Sequence, residues 1–134
     1  RRARVIDTGY LTLIDDCYNA NPDSVKCGID SMSDTADRKV CILGDMLEMG
    51  AQKEELHRSV GKYAALKGVD LLIAVGELSR YTAEGAGKIA RHFDSKAELI
   101  KALPELIHSG DTVLVKASHS MGFDEISEAL KLLK

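Results

Sequence analysis

Short apolar runs alternate with amphipathic helical patterns along this chain, and that alternation constrains the fold more than any other feature. The runs are Tyr10–Ile14, Lys39–Leu43, Leu71–Val75 and Thr112–Val115, all aliphatic or β-branched in bias. Between the first two, Val25, Ile29 and Met32 recur at helical spacing behind Pro22, a residue tolerated in a first helical turn. Leu56, Val60, Tyr63 and Ala64 then recur at i, i+4, i+7 and i+8 as the core face of a second helix, which Gly68 closes. Residues 77–86 read as a helix weakened by Gly85 and Gly87, and residues 91–93 as a further strand. Ser95 and Glu98 form a capping box ahead of Leu99, Leu103 and Leu106, with Pro104 predicting a kink or break. Ile126, Ala129, Leu130 and Leu133 mark the last helix.

Strands joined through helices run parallel, because the crossover returns the chain to the same end of the sheet. Continuously apolar strands need cover on both faces. The segment Arg4–Ile6 meets the next run through Asp7-Thr8-Gly9, which reads as a hairpin. The expected architecture is a three-layer, Rossmann-like α/β domain over residues 1–134. Its sheet is mostly parallel, with one antiparallel edge strand.

Composition narrows the function classes. A chain of 134 residues buries roughly two-thirds of its unfolded surface and needs no covalent staple. Aromatic residues are only 4% and tryptophan is absent, so the core must be aliphatic. The net charge of -3 offers no basic field for a nucleic-acid backbone. No apolar run approaches the ~18 residues of a membrane span. Cys17, Cys27 and Cys41 cannot pair completely and have no metal-ligand spacing, which fits thiols in a reducing cytoplasm. Cys41 is expected to be buried, and no neighbouring cation favours a reactive Cys17. The chain begins at Arg1 without an apolar leader, which reads as a fragment or processed chain and not as a secretion signal.

In open α/β sheets, ligands bind beyond the carboxyl ends of the strands. Polar and glycine residues collect there: Asp15–Pro22, Gly44–Gly50, Gly76-Glu77 and Lys116–Gly122. The opposite rim has ordinary turns such as Lys67-Gly68 and Ser109-Gly110-Asp111. Each motif also has a structural explanation. Asn21 before Pro22 suits a helix cap, although Asn19 and Asn21 around Ala20 can also present amides to a ligand. Asp15 and Asp16 could be two solvated carboxylates. Gly44-Asp45 follows a strand as in many doubly wound folds. His57, next to the core position Leu56, fits a structural histidine better than a base. Lys116 precedes a small-residue turn and a helix, an arrangement that offers N–H groups and a cation to an anion. No G-x-G-x-x-G and no G-x-x-x-x-G-K-[ST] occurs, so neither of those phosphate cradles is present.

Taken together, the motifs are more specific. Asp15–Ser24 (DDCYNANPDS), Leu43–Gly50 (LGDMLEMG), His57–Gly61 (HRSVG), Leu71–Glu77 (LLIAVGE) and Val113–Ser118 (VLVKAS) stand in one order. In that order they resemble the C-terminal domain of the Mur ligases, in the branch that adds a dipeptide. The resemblance implies a cytoplasmic, ATP-dependent peptide ligase of cell-wall synthesis, joining D-alanyl-D-alanine to UDP-N-acetylmuramoyl-tripeptide through an acyl phosphate. It implies two further domains, one for the UDP-substrate and a central one for ATP and Mg2+, so no cofactor is expected to be held tightly here. It places Arg2, Asp16, Asn19 and Asn21 toward the nucleotide. Asp45, Lys116, Ser118 and His119 fall toward the incoming dipeptide.

The family pattern after the final strand is Lys-Gly-Ser-Arg, whereas this chain has Lys116-Ala117-Ser118-His119. Alanine restricts a backbone that glycine leaves free, and histidine replaces a permanent planar cation with a titrating one. Two other readings compete. A folylpolyglutamate synthetase or diamino-acid-adding relative would carry Asp-Asn-Pro-Arg or His-Asn-Pro segments, which are absent. A stand-alone flavodoxin-like binding module would have no phosphate loop upstream.

Overall fold

The apolar runs form the strands of one sheet. In a computed structural model that describes residues 3–17, 19–32, 34 and 36–134, β1 (Arg4–Asp7) and β2 (Thr12–Asp16) make the expected hairpin. They are followed by α1 (Pro22–Ser31), β3 (Lys39–Gly44), α2 (Lys53–Leu66), β4 (Leu71–Val75) and α3 (Ser79–Ala86). Then come β5 (Ala90–Phe93), α4 (Lys96–Leu106), β6 (Thr112–Lys116) and α5 (Asp124–Lys131). The strand order is β1-β2-β6-β3-β4-β5, antiparallel only between β1 and β2. The last strand in sequence therefore lies in the middle of the sheet.

Side chains alternate across the strands and feed two separate cores. Leu13, Val40, Ile42, Ile73, Val113 and Val115 face α4 and α5, meeting Leu99, Leu103, Ile126 and Leu130. Ile14, Cys41, Leu43, Leu72, Ala74 and Leu114 face α1, α2 and α3, meeting Val25, Ile29, Val60 and Ala64. This is the expected three-layer architecture, and among the described residues Phe123 is the one buried phenylalanine or tyrosine.

Several local expectations shift. In α2 the fully buried position is His57, while Leu56 is only half-buried. The buried stripe is His57, Val60, Gly61 and Ala64, spaced i, i+3, i+4 and i+7 as one helix face requires. Helix α4 continues through Pro104 to Leu106, so the proline sits in the final turn and breaks nothing upstream. Gly85 does not end α3. It lies where α2 and α3 touch backbone to backbone. A Cβ on Gly85 would overlap the carbonyl oxygen of Arg58, and one on Gly61 would overlap that of Thr82. Small residues at both places let the two helices approach closely, which explains two glycines in helices that propensity disfavours.

Gly61→Ala and Gly85→Ala should each destabilise the domain by about 1–3 kcal/mol through overpacking. Urea denaturation should show a lower midpoint at unchanged m. A loss below about 0.5 kcal/mol, the size of an ordinary surface substitution, would contradict this packing.

Candidate functional site

The position of β6 creates the site. The chain leaves β2 and β3 toward the α1–α2 face, and it leaves β6, which lies between them, toward α5. Neighbouring strands whose connections diverge to opposite faces open a crevice at their carboxyl ends. The loops after β2, β3, β4 and β6 converge on it.

Asp16 and Lys116 are register partners at the ends of β2 and β6. The Lys116 Nζ donates to Asp16 Oδ2 at 2.5 Å and to the Asn19 carbonyl at 3.1 Å. The lysine side chain is only 3% exposed, against 21% for Asp16. Its stem lies beside Gly28 of α1, where a Cβ would meet Leu114 at 3.2 Å and Lys116 Cδ at 3.6 Å. The ammonium is thus a buried ion-pair partner, and the exposed part of the pair is the carboxylate.

Asp45 is also engaged. Its Oδ1 accepts from the backbone N–H and the hydroxyl of Ser79, at 2.8 and 2.7 Å, at the start of α3. Gly76, at φ +119°, makes room, since a Cβ there would lie 2.6 Å from that same oxygen. Ser118 joins the β3 and β6 loops. Its Oγ accepts from the Leu47 N–H at 3.0 Å, and its N–H donates to the Asp45 carbonyl at 3.3 Å. His57 fastens the same loop from below. The Met46 N–H can only donate, so Nε2 must be the acceptor (2.9 Å), and Nδ1 carries the proton toward the Lys53 carbonyl at 2.6 Å. A fully buried histidine used in both directions by backbone groups is structural, in line with the expectation for His57.

The β2–α1 segment is arranged similarly. Asn21 Oδ1 accepts from the Ser24 N–H at 2.9 Å, and Ser24 Oγ accepts from the Asn21 N–H at 3.0 Å, a reciprocal cap with Pro22 in the first turn. Asn19 Oδ1 accepts from the Ala20 N–H at 2.9 Å. Both amide nitrogens remain as donors. His119 is exposed and opens the short 3-10 turn His119–Met121. Arg2 lies outside the described residues. Ala117 is fully buried and lies outside the left-handed region, so alanine stands there without backbone strain. Gly44 accommodates it, since a Cβ on Gly44 would lie 2.7 Å from the Ala117 Cβ.

One feature of the rim was not legible in the sequence. Glu48 adopts φ +62°, the sole non-glycine residue in the left-handed region among those described. Glutamate carries no composition signal for that conformation.

Residues 1–119 match the family model described as "Mur ligase, glutamate ligase domain". The chain belongs to the Mur ligase family. It is 36% identical over 121 residues to the UDP-N-acetylmuramoyl-tripeptide–D-alanyl-D-alanine ligase of Escherichia coli K12, covering 89% of this chain and 26% of that protein. A MurF structure from Acinetobacter baumannii superposes with a TM-score of 0.85 at 27% identity, over 96% of this chain and 30% of the other. MurF ligase from Thermotoga maritima, solved in complex with ADP, superposes with a TM-score of 0.82 at 23% identity, again over 96% and 30%. The chain thus spans between about a quarter and a third of the length of these relatives. A six-stranded, mostly parallel sheet with one antiparallel pair is the architecture of this Mur ligase domain.

Two further groups near the end of β2 are held in place. Cys17 Sγ donates to Asp15 Oδ1 at 3.1 Å, and Arg4 donates to Asp15 Oδ2 at 2.8 Å. Burial, with the neighbouring Asp15 carboxylate, pushes the Cys17 thiol up to about 12, so it is not an activated nucleophile. Burial does the same to Cys41, to about 12. At Asp15, burial pushes upward, but the Cys17 and Arg4 hydrogen bonds and the Arg4 charge outweigh it and hold the carboxyl below its ordinary value. A carboxyl depressed in the fold stabilises fully above its unfolded pKa of about 3.9, and that contribution is lost as pH falls through the folded value. The stability gap between the wild-type chain and Asp15→Asn should therefore be largest near pH 7 and shrink below about pH 4. Urea denaturation at both pH values checks this, and a gap that widens in acid would contradict it.

Proposed function

We propose that this chain is the C-terminal domain of an ATP-dependent ligase that joins D-alanyl-D-alanine to UDP-N-acetylmuramoyl-tripeptide in peptidoglycan synthesis. The observation that carries this reading is the meeting of the two motif groups at one crevice. The Asp16–Asn21 segment and the Asp45 and Ser118 loops share the carboxyl rim around β6. The relatives' names supply the substrates, and the ADP complex of the Thermotoga maritima structure supports nucleotide use. No helix among the described residues is long and apolar enough to cross a membrane.

The nucleotide side consists of the partly exposed Asp16 carboxylate and the amide nitrogens of Asn19 and Asn21, groups suited to ribose hydroxyls and a base edge, and the family resemblance adds Arg2 for the phosphates. The acceptor side is the turn of Ala117, Ser118 and His119 with the Asp45 loop. Among the described residues no group of three or more His, Cys, Asp or Glu is arranged to hold a metal. The family resemblance places magnesium with ATP in a central domain of the full-length protein. In the reaction, ATP phosphorylates the tripeptide carboxylate and the dipeptide amine attacks the acyl phosphate, expelling phosphate. This domain's task is to orient the nucleotide and the amine and to keep water from the acyl phosphate.

The full-length protein should release ADP and phosphate only when ATP, UDP-N-acetylmuramoyl-tripeptide and D-alanyl-D-alanine are all present. Turnover with a single diamino acid or glutamate in place of the dipeptide would favour another branch of the family. Asp16→Ala should raise the KM for ATP about 5- to 100-fold, the equivalent of one lost hydrogen bond to a charged group (about 1–3 kcal/mol). The 134-residue chain alone, which has no G-x-x-x-x-G-K-[ST], should hydrolyse no ATP.

A further inference from the structure

Lys116 looks from the sequence like a cation offered to the incoming dipeptide, but its surroundings give it a different task. We infer that Lys116 is a positioning residue for the nucleotide side, holding Asp16 and the following loop in the geometry that accepts ribose hydroxyls. The inference rests on the nucleotide assignment of Asp16 above and adds the residue that makes that assignment work.

Three observations carry it. Both hydrogen bonds of the ammonium go to the β2–α1 segment: Asp16 Oδ2 at 2.5 Å and the Asn19 carbonyl at 3.1 Å. The charge has no open path to a ligand, since the lysine side chain is 3% exposed whereas its carboxylate partner keeps 21%. The stem is also seated against α1, where a Cβ at Gly28 would lie 3.6 Å from the Lys116 Cδ. The lysine therefore emerges from β6 and reaches sideways to β2, not outward from the rim.

The pairing solves an electrostatic problem. A lone carboxylate can accept from ribose hydroxyls, but it repels the polyphosphate attached to the same ribose. Pairing with Lys116 neutralises Asp16 while leaving its exposed edge as an acceptor. The same ammonium fixes the Asn19 carbonyl, which sets where the loop begins its path to the Asn21 cap. Removing the ammonium would leave a partly buried carboxylate uncompensated and the loop unanchored.

The test uses the full-length protein with Lys116→Met, which keeps the stem's length, Asp16→Asn, and the double variant. ADP affinity is measured by calorimetry, and KM values for ATP and D-alanyl-D-alanine are measured with the other substrates saturating. Lys116→Met should weaken ADP binding and raise the ATP KM at least tenfold, with the dipeptide KM within twofold of wild type. The double variant should be no worse toward the nucleotide than the worse single variant, because both act through one pair. A tenfold or larger rise in the dipeptide KM would overturn the inference, as would a lowered melting temperature with ADP affinity and both KM values unmoved. If the wild-type protein ligates a different amine, the proposed function fails, but the ADP affinities still decide the role of Lys116.

Discussion

The pairing of β6 between β2 and β3 is the constraint on which the rest of the structure depends. It brings the last strand of the chain into the centre of the sheet, so that both of its edges are hydrogen-bonded and both of its faces are buried. Such a strand must be continuously apolar, and Val113, Leu114 and Val115 are fully buried. Its one charged residue, Lys116, comes at the carboxyl end, where an ion-pair partner is available from the neighbouring strand. Because β6 is central, the loops after β2 and β3 flank it, and residues a hundred positions apart in sequence become register neighbours.

Most polar side chains on this rim hold the loops in place. Asp45 caps the start of α3, Ser118 ties the β6 turn to the β3 loop, His57 fastens Met46, and Asn21 caps α1. Each takes an N–H that would otherwise be buried or orphaned at a helix end, a loss of about 1–3 kcal/mol if left unmade. The outcome is a rim whose backbone is fixed before any ligand arrives, which suits the proposed task of placing a nucleotide and an amine to within a fraction of an ångström. Asp45, Ser118, His57 and Asn21 thus hold backbone, and in the proposed function the Asp16 edge and the amides of Asn19 and Asn21 face the nucleotide.

The fold was largely legible because its signals are local and repeated. Four apolar runs, Pro22 behind Asn21, Gly68 after the second helix and the Ser95–Glu98 cap each identify an element by themselves. The exceptions depend on tertiary contact. His57 takes a core position from Leu56 because two backbone groups satisfy its ring, and Gly85 stays inside α3 because α2 approaches its backbone. Neither partner is visible within a helix's own sequence. The rim was legible as a set of residues, but their partners were not. The Asp16–Lys116 pair depends on strand order, and no periodicity in the sequence reveals that β6 inserts beside β2. The left-handed turn at Glu48 has no composition signal at all.

In the proposed function, nucleotide and acceptor meet this domain at the carboxyl rim around β6. Hydrogen exchange on the full-length protein tests this, with and without a non-hydrolysable ATP analogue, UDP-N-acetylmuramoyl-tripeptide and D-alanyl-D-alanine. Added protection in residues 16–21, 44–47 and 116–119, with little change in the opposite rim at residues 67–68 and 109–111, is the predicted result. Protection confined to that opposite rim or to the α2–α3 surface, with residues 16–21 and 116–119 unchanged, would contradict it.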